Sequence, residues 1–283
     1  MKCFRPFLFL LILSSLSIPA QDTPQTKTKA TSGYYIVTYN NSDVNLELSI
    51  NGYAIKEGPS NQDSSGQADI NFWVIPGKNQ LSFRLTERKP SKKKSSLPIE
   101  PKATINLVIG QQGQFPDEGE QILTYSWPKE GEENPKANGE WTNISFDPPF
   151  LPPSKLWAIA QTIEWSPELE TSAILLLEDL TKALNSKDAT KVSPFLSFRE
   201  KDTSESRYYP ADPASDKKAL EGMMKVVGPT WKFNKKKIKA TLICDKKIVS
   251  LTDAKGNSIL NGKKDVSIPI YLSLVDGKWV ISR

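Results

Sequence analysis

The sequence predicts a multidomain, β-rich protein, with an all-β sandwich over residues 33–146 and an α+β module carrying a curved antiparallel sheet over 166–283. Three observations lead there. Between Tyr34 and Phe146, short runs with every second residue apolar are cut by Gly, Pro and Asn, and no helical period interrupts them. Pro148, Pro149, Pro152 and Pro153 then fall within six positions, which forbids both helix and sheet ladder and marks a boundary. Beyond them the apolar period becomes helical over 166–184, before alternation returns in a closing meander.

Composition narrows the function classes. The chain has 283 residues, 37 Lys+Arg against 32 Asp+Glu, 38% hydrophobic residues and no histidine. That apolar content supports one or two cores. Without histidine there is no Ser-His-Asp triad, no Cys-His pair and no His-containing zinc site. No phosphate loop, dinucleotide fingerprint, paired-cysteine metal site or EF-hand loop is found either, so no cofactor or metal is expected.

The opening twenty residues set the compartment. Lys2 and Arg5 precede an apolar run from Phe7 to Leu16, and Ser17-Ile18-Pro19-Ala20 supplies small residues before Gln21, the pattern of a secretory signal peptide over 1–20. The run is too short to span a bilayer and no longer one follows, so no transmembrane helix is expected. The protein is therefore expected to be exported, to the periplasm or beyond. Cleavage before Gln21 removes Cys3 and leaves Cys244, which alternates with Ile238, Ala240 and Leu242 and reads as a small buried hydrophobe. Residues 21–32 lack an apolar period and read as a disordered leader.

In the first module, Val44, Leu46, Leu48 and Ile50 alternate into Asn51-Gly52, a hairpin turn signal, before Tyr53-Ala54-Ile55. Ile70, Phe72 and Val74 alternate into Pro76-Gly77-Lys78-Asn79, and Leu81, Phe83 and Leu85 alternate out, which reads as a second hairpin. Further strands follow around 105–109, 122–127 and 141–146. The segment 69–83 resembles a hairpin of jelly-roll β-sandwich modules attached to glycoside hydrolases, a resemblance that implies a sandwich and does not by itself imply sugar binding. Trp73 is the candidate binding residue here, as a stacking platform for a sugar ring; the competing reading is cross-strand packing.

Residues 147–165 read as a Pro-rich linker and a short helix with Leu156, Ile159, Ala160 and Ile163 on one face. The second module opens with Ser166 as N-cap, Pro167 in the first turn, and Leu169, Ala173, Leu176, Leu177, Leu180 and Leu184 at helical spacing. A second helix follows Asp188 and is expected to end near Pro194-Phe195-Leu196. A strand is expected around Arg207-Tyr208-Tyr209. Ser215 is expected to cap a third helix that Gly228-Pro229 stops. Strands at 238–244, 247–252, 258–260 and 266–275 then lead through Asp276-Gly277 into a last strand at 278–282.

Leu175 to Ser197, with Leu-Asn-Ser-Lys-Asp at 184–188, is similar to the opening of NTF2-like domains of the SnoaL and ketosteroid-isomerase type, and Asp276-Gly277-Lys278-Trp279-Val280-Ile281 looks like their final hairpin. The resemblance implies a cone-shaped sheet around a cavity that holds a small apolar ligand or is filled by side chains. Isomerase-type members use a tyrosine with carboxyl groups. Tyr208, Tyr209 and Tyr271 are available here, but Asp245, Asp253, Asp265 and Asp276 all fall in turns. Trp231 and Tyr271 are the candidate pocket lining, and no catalytic residue stands out.

Charge adds little. The basic runs at 88–94 and 235–239 and the acidic runs at 117–120 and 130–133 read as solvated loops, and export argues against nucleic acid. A polyanionic surface polymer is the partner these basic runs would suit. The resulting expectation is an exported, non-catalytic binding or scaffolding protein. Its sandwich contacts a cell-envelope glycan or protein, and its second module holds a small ligand or pairs into a homodimer. The alternative is an exported isomerase, cyclase or hydrolase with its site in the second module's cavity.

Overall fold

The computed structural model describes residues 31–88, 100–131, 137–236, 238–263 and 265–283. The expected signal peptide, nearly all of the expected leader and most of the first basic run lie outside them. The first half holds eight strands: β1 (Tyr34–Ser42), β2 (Val44–Ile50), β3 (Tyr53–Lys56), β4 (Ser64–Asp69), β5 (Asn79–Glu87), β6 (Lys102–Gly110), β7 (Glu120–Trp127) and β8 (Asn138–Phe146). They form two antiparallel sheets, ordered β4-β1-β6-β7 and β3-β2-β5-β8. The alternation read from sequence places Ile105 and Leu107 of the first sheet and Leu46, Leu48, Leu81 and Phe83 of the second in one buried cluster, which Tyr35 and Val37 of β1 join. Burying each aliphatic or Phe side chain contributes about 1.5–3 kcal/mol, which holds the sheets together.

The second half carries α1 (Leu156–Ile159), β9 (Ala160–Gln161), α2 (Pro167–Asn185), α3 (Ala189–Ser206) and α4 (Pro213–Val227). Seven short strands follow: β10 (Lys232–Phe233), β11 (Lys239–Ile243), β12 (Ile248–Thr252), β13 (Leu260–Asn261), β14 (Ser267–Ile268), β15 (Ile270–Val275) and β16 (Lys278–Ile281). A sheet β11-β12-β15-β16, with β9 added on β15, and a small sheet β10-β13-β14 complete four antiparallel sheets. The fold is thus β-rich and multi-sheet, with a few helices. The helices' apolar faces, among them Leu177, Leu180, Leu184, Val192, Leu220 and Met224, pack with Val249, Leu251, Ile270 and Leu272 of the larger sheet. Ser166 caps α2 by accepting the Leu169 amide.

Both expected two-residue turns form, with Asn51 and Gly52 at φ 49° and 88° and Asp276 and Gly277 at φ 49° and 72°. These are left-handed positions that Asn, Asp and Gly tolerate. Gly52 has a second reason to lack a side chain: a Cβ there would meet Ile243 Cγ2 at 2.6 Å. The β2–β3 turn is therefore seated on the end of β11, where the Cys244 amide also donates to the Asn51 carbonyl at 2.9 Å.

Several local expectations are corrected. Ile70 to Val74 is not a strand of a second hairpin: residues 71–73 form a 3-10 turn, and the chain crosses there from the first sheet to the second. The cause is Asp69, whose Oδ1 accepts the Asn71 amide at 2.9 Å and closes an Asx turn before the alternation can propagate. The helix expected to stop near Pro194 continues to Ser206, because Val192, Leu196, Asp202 and Ser206 are all buried and tertiary packing outweighs the lost hydrogen bond. Arg207 to Tyr209 is a turn and not a strand, with Tyr208 at φ 61°. Asp212, and not Ser215, caps the next helix, accepting the Ser215 amide. Cys244 is buried as expected but sits in a turn at φ 52°, just past β11.

Candidate functional site

The three candidate binding residues lie in two places. Trp231 is buried in the second half's core, its backbone N–H and carbonyl bound by the side-chain amide of Asn185 at 2.9 and 3.0 Å. Trp73 is buried too, but its partners cross between the halves. Its ring stacks on Tyr53, with centroids 3.9 Å apart and an interplanar angle of 14°, and meets Tyr271 edge-on at 5.2 Å. Two residues read as separate sites thus share one aromatic cluster at the junction. Trp127 is likewise buried, whereas Trp141 on β8 is exposed, with the Arg84 guanidinium 5.2 Å from its ring.

The junction is dense in polar groups, most of which bond one another, while the buried indole N–H groups of Trp73 and Trp157 have no hydrogen-bond partner. The Asn71 side chain accepts from the Tyr35 amide at 2.6 Å and donates to the Gly33 and Ser206 carbonyls at 3.1 and 2.9 Å. Arg283 donates from Nε to the Phe72 carbonyl at 2.8 Å and pairs with Asp202 at 2.7 Å, both side chains being buried. Asp202 also accepts from Ser154 Oγ at 2.7 Å and the Leu156 amide at 3.1 Å. Burial pulls the Arg283 guanidinium below its ordinary range, and Asp202 opposes the shift. Burial likewise pushes the Tyr35, Tyr271 and Cys244 acids up to about 12. A thiol so raised is protonated at neutral pH and a poor nucleophile.

The outward face of the first sheet has the opposite character. Registering the strands places Ser65, Asn40, Thr104 and Ser126 in one row across β4, β1, β6 and β7, and Gln67, Thr38, Asn106 and Thr124 in the next. All eight are uncharged amides or hydroxyls, and none is buried. The second row is joined internally: Asn106 Nδ2 donates to Thr38 Oγ1 at 3.3 Å and Thr124 Oγ1 donates to Asn106 Oδ1 at 2.9 Å. A third row, Asp69, Ile36, Val108 and Gln121, ends in an ion pair of Asp69 with Arg207 at 2.7 Å.

Two depressions open on this face. One of about 590 Å³ is lined by both rows over β4, β1 and β6, and one of about 410 Å³ runs from Thr38 and Asn106 to Pro116, Asp117, Gly119 and Gln121. They share Thr38 and Asn106. Gly66 pairs with Tyr39 on the inward side of the sheet, where a Cβ would come within 2.6 Å of Tyr39 Cζ, so the Tyr39 ring packs over β4 toward the core. Among the described residues no group of His, Cys, Asp or Glu is arranged to hold a metal ion.

Sequence reading sought aromatic rings and missed this face, because each strand alone shows only the ordinary outward polar set of a half-buried strand. The available signal was that Thr38, Asn40, Thr104 and Asn106 are all uncharged. Their shared rows appear only once pairing register is known. No family model, curated protein or solved structure matches the chain, so the reading of this face rests on its own residues.

Proposed function

We propose that the protein is an exported, non-catalytic binding and scaffolding protein whose first half is a β-sandwich that contacts a cell-envelope glycan through the outward face of β4-β1-β6-β7. The single observation carrying this is the pair of uncharged rows crossing all four strands. Amides and hydroxyls both donate and accept, the chemistry that pairs with sugar hydroxyls, and the shallow floor suits a chain lying along the surface. In this reading the second half is an NTF2-like module acting as a rigid support. Its helices and sheet enclose a core of Leu, Ile, Val, Met224 and Trp231, and Asp202, the buried carboxylate among the described residues, is committed to Arg283.

The test is affinity electrophoresis of the exported chain through gels containing soluble polysaccharides. Retardation by at least one glycan, abolished by Thr38→Arg, is the expected result. Unaltered mobility in every gel, or equal retardation of the variant, would remove the assignment of this face.

A further inference from the structure

Resting on that reading, we infer that the face takes an uncharged sugar chain and that Phe115, on the loop beside the second depression, is a ring platform at one end of it. Three observations converge. First, Phe115 is 72% exposed, the most exposed large apolar side chain among the described residues. Isolated exposed hydrophobes are ordinary on loops, so exposure alone decides nothing.

Second, the loop that displays Phe115 is held by its own bonds. Gln114 Oε1 accepts the Gln111 amide and Glu118 Oε2 accepts the Phe115 amide, each at 2.8 Å, while Gln111 Nε2 donates to the Ser32 carbonyl at 2.8 Å. A Cβ on Gly119 would approach the Ile109 carbonyl to 2.8 Å, so the loop also sits tightly against β6. The polar side chains are spent on shape, and the phenyl ring is left outward beside Pro116, which lines the depression. A loop whose backbone is already held by these bonds needs little further ordering when its ring stacks against a sugar, which lowers the cost of the contact.

Third, the charge is distinctive. Asp117 is the one charged residue lining either depression. A carboxylate accepts hydrogen bonds from sugar hydroxyls, and charge-assisted bonds are the stronger kind. A polyanion would meet Asp117 and, among the lining residues, no cation to offset it. The expected partner is therefore a neutral polysaccharide, not the polyanion that the basic runs of the sequence would suit.

The experiment compares the full exported chain with its F115A, F115Y and T38R variants. Binding is measured by affinity electrophoresis against a β-glucan, a mannan and a xylan, and against alginate and heparin, at low and high salt. Retardation by a neutral polysaccharide that is insensitive to salt, weakened about tenfold or more in F115A, restored in F115Y and abolished in T38R, supports the inference. Loss in T38R with F115A unchanged overturns the platform while leaving the glycan-binding face standing. Retardation by the polyanions alone, fading with salt, overturns the neutral-chain assignment. No retardation by any of the five overturns both this inference and the reading beneath it. Thermal unfolding of F115A should match that of the parent chain, since the ring buries little surface.

Discussion

The junction between the halves and the open face of the first sheet are built from overlapping chemistry, yet they behave oppositely. At the junction Asn71 makes three bonds to protein groups and the Asp202–Arg283 pair adds bonds to Phe72, Ser154 and Leu156. On the face, Asn40 and Gln67 carry the same amide chemistry but stand in exposed rows without side-chain bonds among the described residues. A saturated amide in the interior fixes geometry, because leaving any one partner unmet costs about 1–3 kcal/mol. An unsaturated amide on a surface is free to exchange water for a ligand. Residue type alone therefore does not separate structural from binding roles; the accounting of hydrogen bonds does.

The sharpest way to break that contrast is Asp202→Ala. It strands the buried Arg283 guanidinium, and removing one partner of a buried pair costs about 3–5 kcal/mol. Urea denaturation should show that loss as a lowered midpoint, and a cost under about 1 kcal/mol would mean that Arg283 does not depend on Asp202. The double variant Asp202→Leu, Arg283→Met separates charge stranding from packing. It should recover only the part due to the stranded charge, because the Phe72 carbonyl, the Ser154 hydroxyl and the Leu156 amide then lose their partners.

A second test uses pH. Tyr35, Tyr271 and Cys244 hold their protons to about 12 when folded, above their ordinary values of 10.0, 10.0 and 9.0. Between those limits the folded state binds more protons than the unfolded state, so stability falls as pH rises. It is fully present below the thiol's ordinary value and declines from about pH 9 upward. The denaturation midpoint should thus be flat from about pH 7 to 8.5 and drop steeply toward pH 11, and the phenolate absorbance of Tyr35 and Tyr271, taken by difference from Tyr35→Phe and Tyr271→Phe variants, should rise only as the chain unfolds. Phenolate that appears near pH 10 in the folded parent but is missing from the Tyr35→Phe and Tyr271→Phe variants would show that these two rings are less enclosed than the packing indicates. The amides and hydroxyls of the open face have no part in this dependence.

How far these regions could be read from sequence follows from how local their causes are. The two hairpin turns, the Ser166 cap and the helical stripe of α2 depend on neighbours within a few residues, and each is legible. Asp69 could have warned of the Asx turn at Asn71, but apolar alternation at Ile70, Phe72 and Val74 outweighed it. The continuation of α3 past Pro194 depends on distant packing that has no local signature. The contact of Trp73 with Tyr271 joins residues 198 positions apart, and nothing in either segment announces it. The neutral face is intermediate: its residues are plain in the text, and only strand register makes them a surface.

The smallest expected effect is the most discriminating. Asn106→Ala removes the centre of the hydrogen-bonded row on the face, leaving Thr38 and Thr124 without that partner. Both hydroxyls remain in reach of water, so no buried group is orphaned and the stability change should stay within about 0.5 kcal/mol. Asn71→Ala, the same change of side chain at the junction, leaves the Tyr35 amide and the Gly33 and Ser206 carbonyls unpaired in a buried setting and should cost several times more. Equilibrium denaturation of the two variants side by side measures the difference directly. Equal costs would mean that Asn106 is structural and that its row is not held open for a ligand. A near-neutral Asn106→Ala that also loses retardation in the polysaccharide gel would separate binding from folding at a single residue.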